Sequence, residues 1–337
     1  MRKVWLAVFS AAAAVAIYFA PYDPADTTAG RQRRPDTPPE KGSSAPGALA
    51  QHTARLNGSD ADQRLEAAYA LAAAGGRHLQ PLFRALRTGD DALRLVVIRS
   101  LKRHVKNADV QAALIEAAGH GSNDIALAVL NALNSVASEA ALPLYVSLVG
   151  HADTDVAKAA IRNLPWEGPL GEAAARLGAP AALGAVVAAR GALTHPALYK
   201  LEWMGAAARP ALPAVLDALR DDDHSYLAAA VLGNIGPDAA AAIPLLVARL
   251  RELEKEDLES LHETSLIPAS GPSIPWGDAL GGIGAASIPA LQPLMKTESW
   301  DTRYQVMKAL AGVGSPAIPF LMSTLKSPHA RERETAL

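Results

Sequence analysis

The sequence predicts an all-α fold, a right-handed α-solenoid of about eight stacked helix–turn–helix units. Half of the 337 residues are hydrophobic but only 5% are aromatic, so alanine and aliphatic side chains must form the core. A short motif around a proline recurs with a period of 31 residues, and a motif that begins with an aspartate recurs with the same period. Two markers with one period indicate repeats that bury their apolar faces against each other.

The first marker is a Leu-Pro or Ile-Pro pair followed by aliphatic residues. Pro213 and Pro244 are 31 residues apart, and Pro81 and Pro143 are 62 apart, which is twice the period. Because the first turn of a helix tolerates a missing N–H group, each proline should open the second helix of a unit. The prolines of this marker are Pro81, Pro143, Pro213, Pro244, Pro289 and Pro319.

The second marker is an aspartate with an aliphatic residue nine positions later. Each aspartate is expected to cap the first helix of its unit, because a carboxylate accepts hydrogen bonds from free backbone N–H groups. These residues are Asp62, Asp124, Asp155, Asp223 and Asp301. A glycine in a left-handed conformation should end the first helix, at Gly75, Gly236, Gly284 and Gly314. The predicted units start near residues 62, 91, 124, 155, 196, 223, 271 and 301.

Residues four positions after each proline are expected to line the concave face of the solenoid. They are mostly small and uncharged, which favours a protein partner over a polyanion. The set is Ala85, Ser147, Asp217, Ala248, Pro293 and Ser323.

These motifs resemble the HEAT-repeat superfamily, in particular the short HEAT-like units named after phycobilisome lyases. The resemblance covers residues 60–327 and includes a basic residue soon after the aspartate and an Ile-Gly or Val-Gly pair, as in Ile235-Gly236. The concave face of a solenoid and the lack of a catalytic motif favour a non-enzymatic scaffold that presents a curved surface to one or more proteins, such as an accessory subunit of an envelope assembly. The resemblance also leaves an alternative, a lyase or chaperone-like protein that handles a ligand such as a bilin. A DNA-binding protein of the HEAT glycosylase type fits less well.

The N-terminal residues predict export or membrane attachment. Arg2 and Lys3 precede the uncharged, mostly apolar stretch 4–20, which is typical of a signal-anchor or a signal peptide. Residues 21–59 are proline-rich at first and are expected to form a disordered linker before the repeat domain, 60–337. We therefore expect a membrane-anchored protein with its repeats outside the cytoplasm, on the periplasmic side if it is bacterial. Secretion after cleavage is the alternative.

Two departures from an ordinary repeat surface are candidate partner-binding segments. The first is an insertion near 252–275, since Pro244 and Pro289 are 45 residues apart. It combines an acidic run with a tryptophan that is expected to be exposed, whereas Trp203 is expected in the core. The second is a basic cluster, which fits an acidic partner, anionic lipid headgroups or an ordinary solvated face. The candidate residues are Glu252, Glu256, Asp257, Glu259 and Trp276 for the insertion, and Arg99, Lys102 and Arg103 for the basic cluster.

Composition and motifs disfavour several other functions. The net charge of −2, from 34 acidic and 32 basic residues, gives no global argument for binding nucleic acid. The absence of cysteine excludes thiolate metal sites and cysteine nucleophiles. The sequence has no glycine-rich phosphate loop, zinc-protease motif or nucleophile elbow. His120 and His151 lie near aspartates but are better explained as turn residues. We expect no enzyme activity, no cofactor and no small-molecule substrate.

Overall fold

The computed structural model describes residues 46–260 and 275–336, and within these ranges every regular element is helical. The described residues form two compact units. The N-terminal unit contains residues 46–148 and 155–163, and the C-terminal unit contains residues 149–154, 164–260 and 275–336. Each unit is described by itself below.

The helices of the N-terminal unit follow the predicted alternation of first and second helices. Helix α1 spans Pro46–Leu56, and its buried Leu49 and Leu56 pack in this unit, where α1 contacts α2. The remaining helices are α2 (Ala61–Ala74), α3 (Gln80–Thr88), α4 (Asp91–Leu101), α5 (Ala108–Gly119), α6 (Asn123–Leu133), α7 (Leu142–Leu148) and α8 (Thr154–Asn163).

The C-terminal unit repeats the same alternation over more helices. They are α9 (Gly168–Arg176), α10 (Ala179–Ala188), α11 (Thr194–Met204), α12 (Leu212–Ala218), α13 (Ser225–Ile235), α14 (Ile243–Ser260), α15 (Pro275–Ile283), α16 (Ile288–Leu291), α17 (Trp300–Val313), α18 (Ile318–Thr324) and α19 (Ala330–Ala336). The first helices begin at residues 61, 91, 123, 154, 194, 225, 275 and 300, each within four residues of a predicted unit start. The predicted register is confirmed.

Both units have two layers of helices. In the N-terminal unit α2 contacts α4 and α4 contacts α6, while α3 contacts α5 on the other side. In the C-terminal unit the first helices α11, α13, α15, α17 and α19 contact one another in that order, and α10 contacts α12 in the second layer. Each helix thus buries its apolar face against neighbours in sequence, which is the arrangement of an α-solenoid.

The turns within the units contain the predicted glycine and proline. Gly236 has φ +81° and ψ −143°, a region that is open essentially only to glycine. Gly75, Gly284 and Gly314 also have positive φ. A short 3₁₀ turn follows the glycine, for example over Gly236–Ala242, and the proline then occupies the second position of the next helix. The expected roles of glycine and proline are confirmed.

The role expected for the aspartates is wrong in detail. The side chain that caps α2 is Asp60, whose carboxylate accepts from the backbone N–H groups of Asp62 and Gln63. Asp62, Asp124, Asp155 and Asp301 lie inside the first turn of their helices. There they lie near the positive end of the helix dipole without being the cap residue. Asp223 precedes α13, whose cap residue is His224.

The boundary expected for the disordered linker is also wrong. Residues 46–56 form α1, so the repeat domain begins earlier than residue 60. Pro46 is the first residue of α1, and the missing N–H group of a proline costs a helix little at that position. Residues 1–45 lie outside the described residues, and the predicted signal segment lies among them.

Some solenoid helices pass a length and hydropathy test for crossing a membrane. One continuous stretch, Ser225–Glu252, passes alone, and two bent helix pairs pass together. In the structure Ser225–Glu252 consists of α13, a 3₁₀ turn and the start of α14, and Gly236 breaks it. Helix α13 contacts both α11 and α15. Its apolar character is therefore explained by packing within the repeat.

Candidate interaction surfaces

A groove runs along the second layer of the C-terminal unit, between α10 and α12. Its floor on α10 is formed by exposed Ala181, Ala185 and Ala188, which share one helix face. Pro213 and Ala214 of α12 form the opposite side. The cavity has a volume of about 490 Å³. Small side chains on both helices leave this space open.

The groove continues towards α14. A second cavity of about 370 Å³ lies between the end of α12 and α14, and its lining includes Leu219, Leu245 and Ala248. Arg220 lines both cavities. We call these two adjoining cavities together the second-layer groove. Ala248 and Asp217, which each lie four residues after a marker proline, both line it.

Paired charges mark the rim of the groove. Asp217 accepts from Arg190 at 2.8 Å and from Arg220 at 3.1 Å. The hydrogen bond from Arg190 is the main reason that the pKa of Asp217 lies below its usual range. Further along, Arg249 pairs with Asp222 at 2.8 Å. The two pairs of Asp217 are exposed on both sides and contribute little to stability, so a charged partner can compete for them at low cost.

An aromatic cluster stands on the surface of the same unit. Trp166 and Trp203 are 41% and 55% exposed, and their ring centroids lie 6.4 Å apart. Tyr199 lies 6.2 Å from Trp203 in an edge arrangement. The expectation that Trp203 belongs to the core is wrong. Leu198 and Leu201 occupy the buried face of α11, and Trp203 lies on the opposite face.

Lys200 lies buried beneath this cluster, only 3% exposed. Its Nζ donates to the backbone oxygen of Leu164 at 2.8 Å and lies 4.4 Å from the ring centroid of Trp166. Burial lowers the pKa of Lys200 to about 8. These contacts attach α11 to the segment that interrupts the repeat between Leu164 and Pro169.

The structure contradicts the exposure expected for Trp276. This residue is only 9% exposed and packs edge-on against Tyr226, with ring centroids 6.4 Å apart. It is the second residue of α15 and so belongs to a first helix, which packs between α13 and α17. It does not belong to the preceding insertion. Trp276 is therefore not an exposed anchor.

Sequence reasoning missed the exposed aromatic residues on the first helices. Tyr226, Trp300 and Tyr304 are exposed on α13 and α17. Tyr226 and Tyr304 each lie ten residues before the glycine that ends their helix, Gly236 or Gly314. This shared register was the signal that would have identified them.

The acidic candidates lie on α14. Glu252 is exposed and pairs with Arg249 at 3.0 Å, so it belongs to the rim of the second-layer groove. Glu256, Asp257 and Glu259 lie further along the same helix, which continues to Ser260. Their side chains and residues 261–274 lie outside the described part of the chain.

The basic candidates lie together at the end of α4. Arg99 is in its last turn, and Lys102 and Arg103 are in the 3₁₀ turn that follows. All three are exposed, as is the nearby Lys106. In the described ranges 46–260 and 275–336, no group of three or more His, Asp or Glu residues could hold a metal ion.

Part of the chain matches a known repeat family. A family model described as HEAT repeats matches residues 79–165 and 277–337. This match supports the HEAT-type repeat that the sequence motifs indicate. No curated protein matches the chain.

Solved structures of similar architecture include an engineered protein, with 17% identity and a TM-score of 0.48 over 86% of this chain and 87% of that one. Another was determined in a study of a phosphorylation switch that controls the interaction between cadherin and beta-catenin. It has 15% identity and a TM-score of 0.46 over 86% of this chain and 76% of that one. A designed armadillo repeat protein in complex with the peptide (KR)4 has 15% identity and a TM-score of 0.33. That match covers 79% of this chain and 99% of the other.

Proposed function

We propose that this chain is a non-enzymatic scaffold that binds an extended segment of a partner protein in the second-layer groove and is tethered to a membrane by residues 1–20. The groove is the observation that carries this proposal. HEAT-type repeats typically act as protein-interaction scaffolds, and here the second layer leaves an open channel lined by small residues.

The length of the groove suits a short extended peptide. It crosses three second-layer helices, α10, α12 and α14. Helices that pack side by side are about 8–10 Å apart, so the groove is roughly 20 Å long. An extended chain advances about 3.3 Å per residue, and about six residues of a partner therefore fit along it.

The lining supports binding through both shape and charge. Exposed Ala181, Ala185 and Ala188 offer an apolar floor into which larger partner side chains fit. Arg190 and Arg220 at the rim share a single carboxylate, Asp217, so an acidic side chain or a main-chain carbonyl of the partner finds donors there.

The test fills the groove without disturbing the fold. Ala185→Trp places a large side chain on the exposed floor of the groove, and Ala189→Trp adds the same side chain at the exposed residue that directly follows α10 and does not line the groove. A photo-crosslinking residue at position 181 of the full chain identifies the bound protein by mass spectrometry.

We expect Ala185→Trp to reduce recovery of the crosslinked partner at least about tenfold, which corresponds to 1.4 kcal/mol, and Ala189→Trp to leave it unchanged. Equal recovery with both variants would refute binding in the groove. The tether is tested separately. A reporter enzyme that works only outside the cytoplasm should be active when it is fused after Leu337, and one that works only in the cytoplasm should be inactive. Alkaline carbonate should fail to extract the full chain from membranes.

A further inference from the structure

The N-terminal unit carries a group of cations without partners. Arg99, Lys102, Arg103 and Lys106 lie within eight positions of the chain, and all four are exposed. None of them forms an ion pair or a side-chain hydrogen bond with any residue that the structure describes. We call these four residues the basic patch.

Several other exposed cations in the described residues lie within 4.0 Å of a carboxylate, including Arg87 beside Glu116 in the same unit and Arg209 beside Asp238 in the other. Others, such as Arg84 and Lys326, form no ion pair with a described residue, but they do not belong to a group of four so close in the chain. A protein with almost equal numbers of acids and bases would be expected to intersperse them. The basic patch is therefore a local concentration of uncompensated positive charge.

The surroundings of the patch indicate the kind of partner. Every large hydrophobic residue that is exposed in the described ranges has a number of 166 or higher, and so belongs to the C-terminal unit. The N-terminal unit thus presents cations without neighbouring apolar anchors. A protein interface normally has an apolar centre, and single-stranded nucleic acid is normally stacked on aromatic rings. A layer of phosphate headgroups requires neither.

The position of the patch agrees with a membrane below it. Arg64 near the start of α2 pairs with Asp90 at the start of α4, so these contacting helices run in the same direction. Two helix spacings of about 8–10 Å separate α1 from α4. Residues 21–45 join the apolar stretch to α1, and a chain of 25 residues can reach at most about 85 Å. The patch therefore lies within reach of a bilayer that holds residues 1–20.

We infer that the basic patch docks the N-terminal unit onto an anionic lipid surface, that of the membrane to which the chain is tethered. This inference rests on the tether of the proposed function. Lysine and arginine near such a surface interact with the negative potential of the headgroups without inserting. Docking orients the unit on the membrane, which a tether alone does not do.

The test uses the full chain with a single fluorescent label. Because the chain has no cysteine, Ala108→Cys places a label next to the patch, and Ala61→Cys places one at the opposite end of the first-layer helices. The protein is added to vesicles of phosphatidylcholine alone, or of phosphatidylcholine with about one third phosphatidylglycerol. Both contain a lipid with a headgroup nitroxide, which quenches the label only at close range.

The matched variants remove the same amount of charge. The patch variant replaces all four cations by glutamine. The control variant replaces four exposed cations of the C-terminal unit by glutamine: Arg176, Arg209, Lys326 and Arg331. Equal melting temperatures of the two variants exclude a general loss of folding as the cause of any difference.

We expect strong quenching at position 108, but not at position 61, on vesicles that contain phosphatidylglycerol. It should be lost in the patch variant, retained in the control variant, and lost at about 0.5 M salt, where the Debye length is only a few ångströms. Each cation near an anionic surface increases binding to it by a factor of about five. The four cations of the patch together should therefore increase partitioning onto anionic vesicles several hundred-fold relative to the patch variant.

The outcomes separate the patch from the tether. Flotation with pure phosphatidylcholine vesicles reports the tether, because that surface carries no net charge. If the protein floats with pure phosphatidylcholine vesicles, and the patch and control variants are quenched equally on anionic vesicles, the docking inference is overturned and the tether is left intact. The protein could instead fail to float with pure phosphatidylcholine vesicles but float with anionic vesicles in a way that depends on the patch and on salt. That result would refute the tether and support docking by the patch. Patch-dependent binding of single-stranded RNA at physiological salt, without binding to anionic vesicles, also overturns the inference.

Discussion

Substitution of Lys200 by methionine is expected to remove a pH dependence of stability between pH 7 and about pH 9.5. Methionine is similar in length and carries no charge, so it retains much of the packing against Trp166. In the folded protein the ammonium group is buried, and its hydrogen bond to the backbone oxygen of Leu164 does not offset the cost of burial. The pKa of Lys200 consequently falls to about 8, against an ordinary value of 10.5.

The sign of the effect follows from the direction of this pKa shift. Between pH 8 and 10.5 the unfolded chain binds a proton at this site that the folded chain releases, so the free energy of unfolding rises with pH. With a folded pKa of about 8, the full difference is about 3 kcal/mol. Roughly 2 kcal/mol of it appears between pH 7 and about pH 9.5. Burial raises the pKa of Tyr145 to about 12, which lowers stability only above its ordinary value of 10.0.

The assay is urea unfolding followed by tryptophan fluorescence at several pH values, because Trp166 and Trp203 report on the region around Lys200. The wild-type chain should gain about 2 kcal/mol relative to Lys200→Met as pH rises across the window. Lys326→Met, at an exposed residue, serves as the control and should parallel the wild type. If the free energy of unfolding changes with pH in the same way for the wild type and Lys200→Met, the ammonium group is not buried at a net cost.

Four further substitutions test the packing and the helix starts by chemical denaturation. Leu246→Asp should destabilise by about 4 kcal/mol or more, since Leu246 is fully buried; an unchanged midpoint would place it outside the core. Gly282→Ala should cost about 1–3 kcal/mol, because its methyl group would overlap the backbone of Gly233 in the neighbouring helix. Asp60→Ala should cost about 1 kcal/mol as a lost helix cap. Asp62→Ala should cost only a few tenths of a kcal/mol. A larger loss of stability for Asp62→Ala than for Asp60→Ala would support Asp62 as the cap residue.

The register of the repeats was predictable because its signals are local. A glycine that ends a helix with positive φ and a proline in the next first turn act within a few residues of chain. The same signals recur in each unit, so a wrong assignment in one unit does not change the register predicted for the next. The aspartate marker also recurs correctly, but its role was misassigned because a carboxylate in the first turn and one at the cap have similar favourable effects.

The exposure of individual tryptophans was not predictable from a single motif. Trp276 follows a loop-like sequence, yet it opens a helix that is packed on both sides. Trp203 lies within an apolar helix, yet points away from the face that Leu201 buries. Assigning them required the position of each residue relative to the glycine that ends its helix.

The second-layer groove depends on contacts between residues far apart in the sequence. Arg190 reaches Asp217 across 27 positions, and Arg249 reaches the backbone oxygen of Leu219 across 30. The sequence indicates that Asp217 and Ala248 occupy equivalent positions in their repeats. It does not indicate that the side chains around them leave two adjoining cavities.

The scarcity of aromatic residues and their exposure have a common physical cause. Neighbouring first helices of the C-terminal unit approach closely through glycine, as where Gly281 faces Gly312 and a Cβ at either residue would lie 3.0 Å from the other's Cα. Such seams have no room for a large ring, so alanine, glycine and leucine form them. Most of the aromatic side chains in this unit consequently stand at the surface, where tryptophan and tyrosine favour contact with a partner. Close helix packing thus leaves most aromatic side chains of the C-terminal unit at its surface, while the basic patch gives the N-terminal unit a different kind of surface.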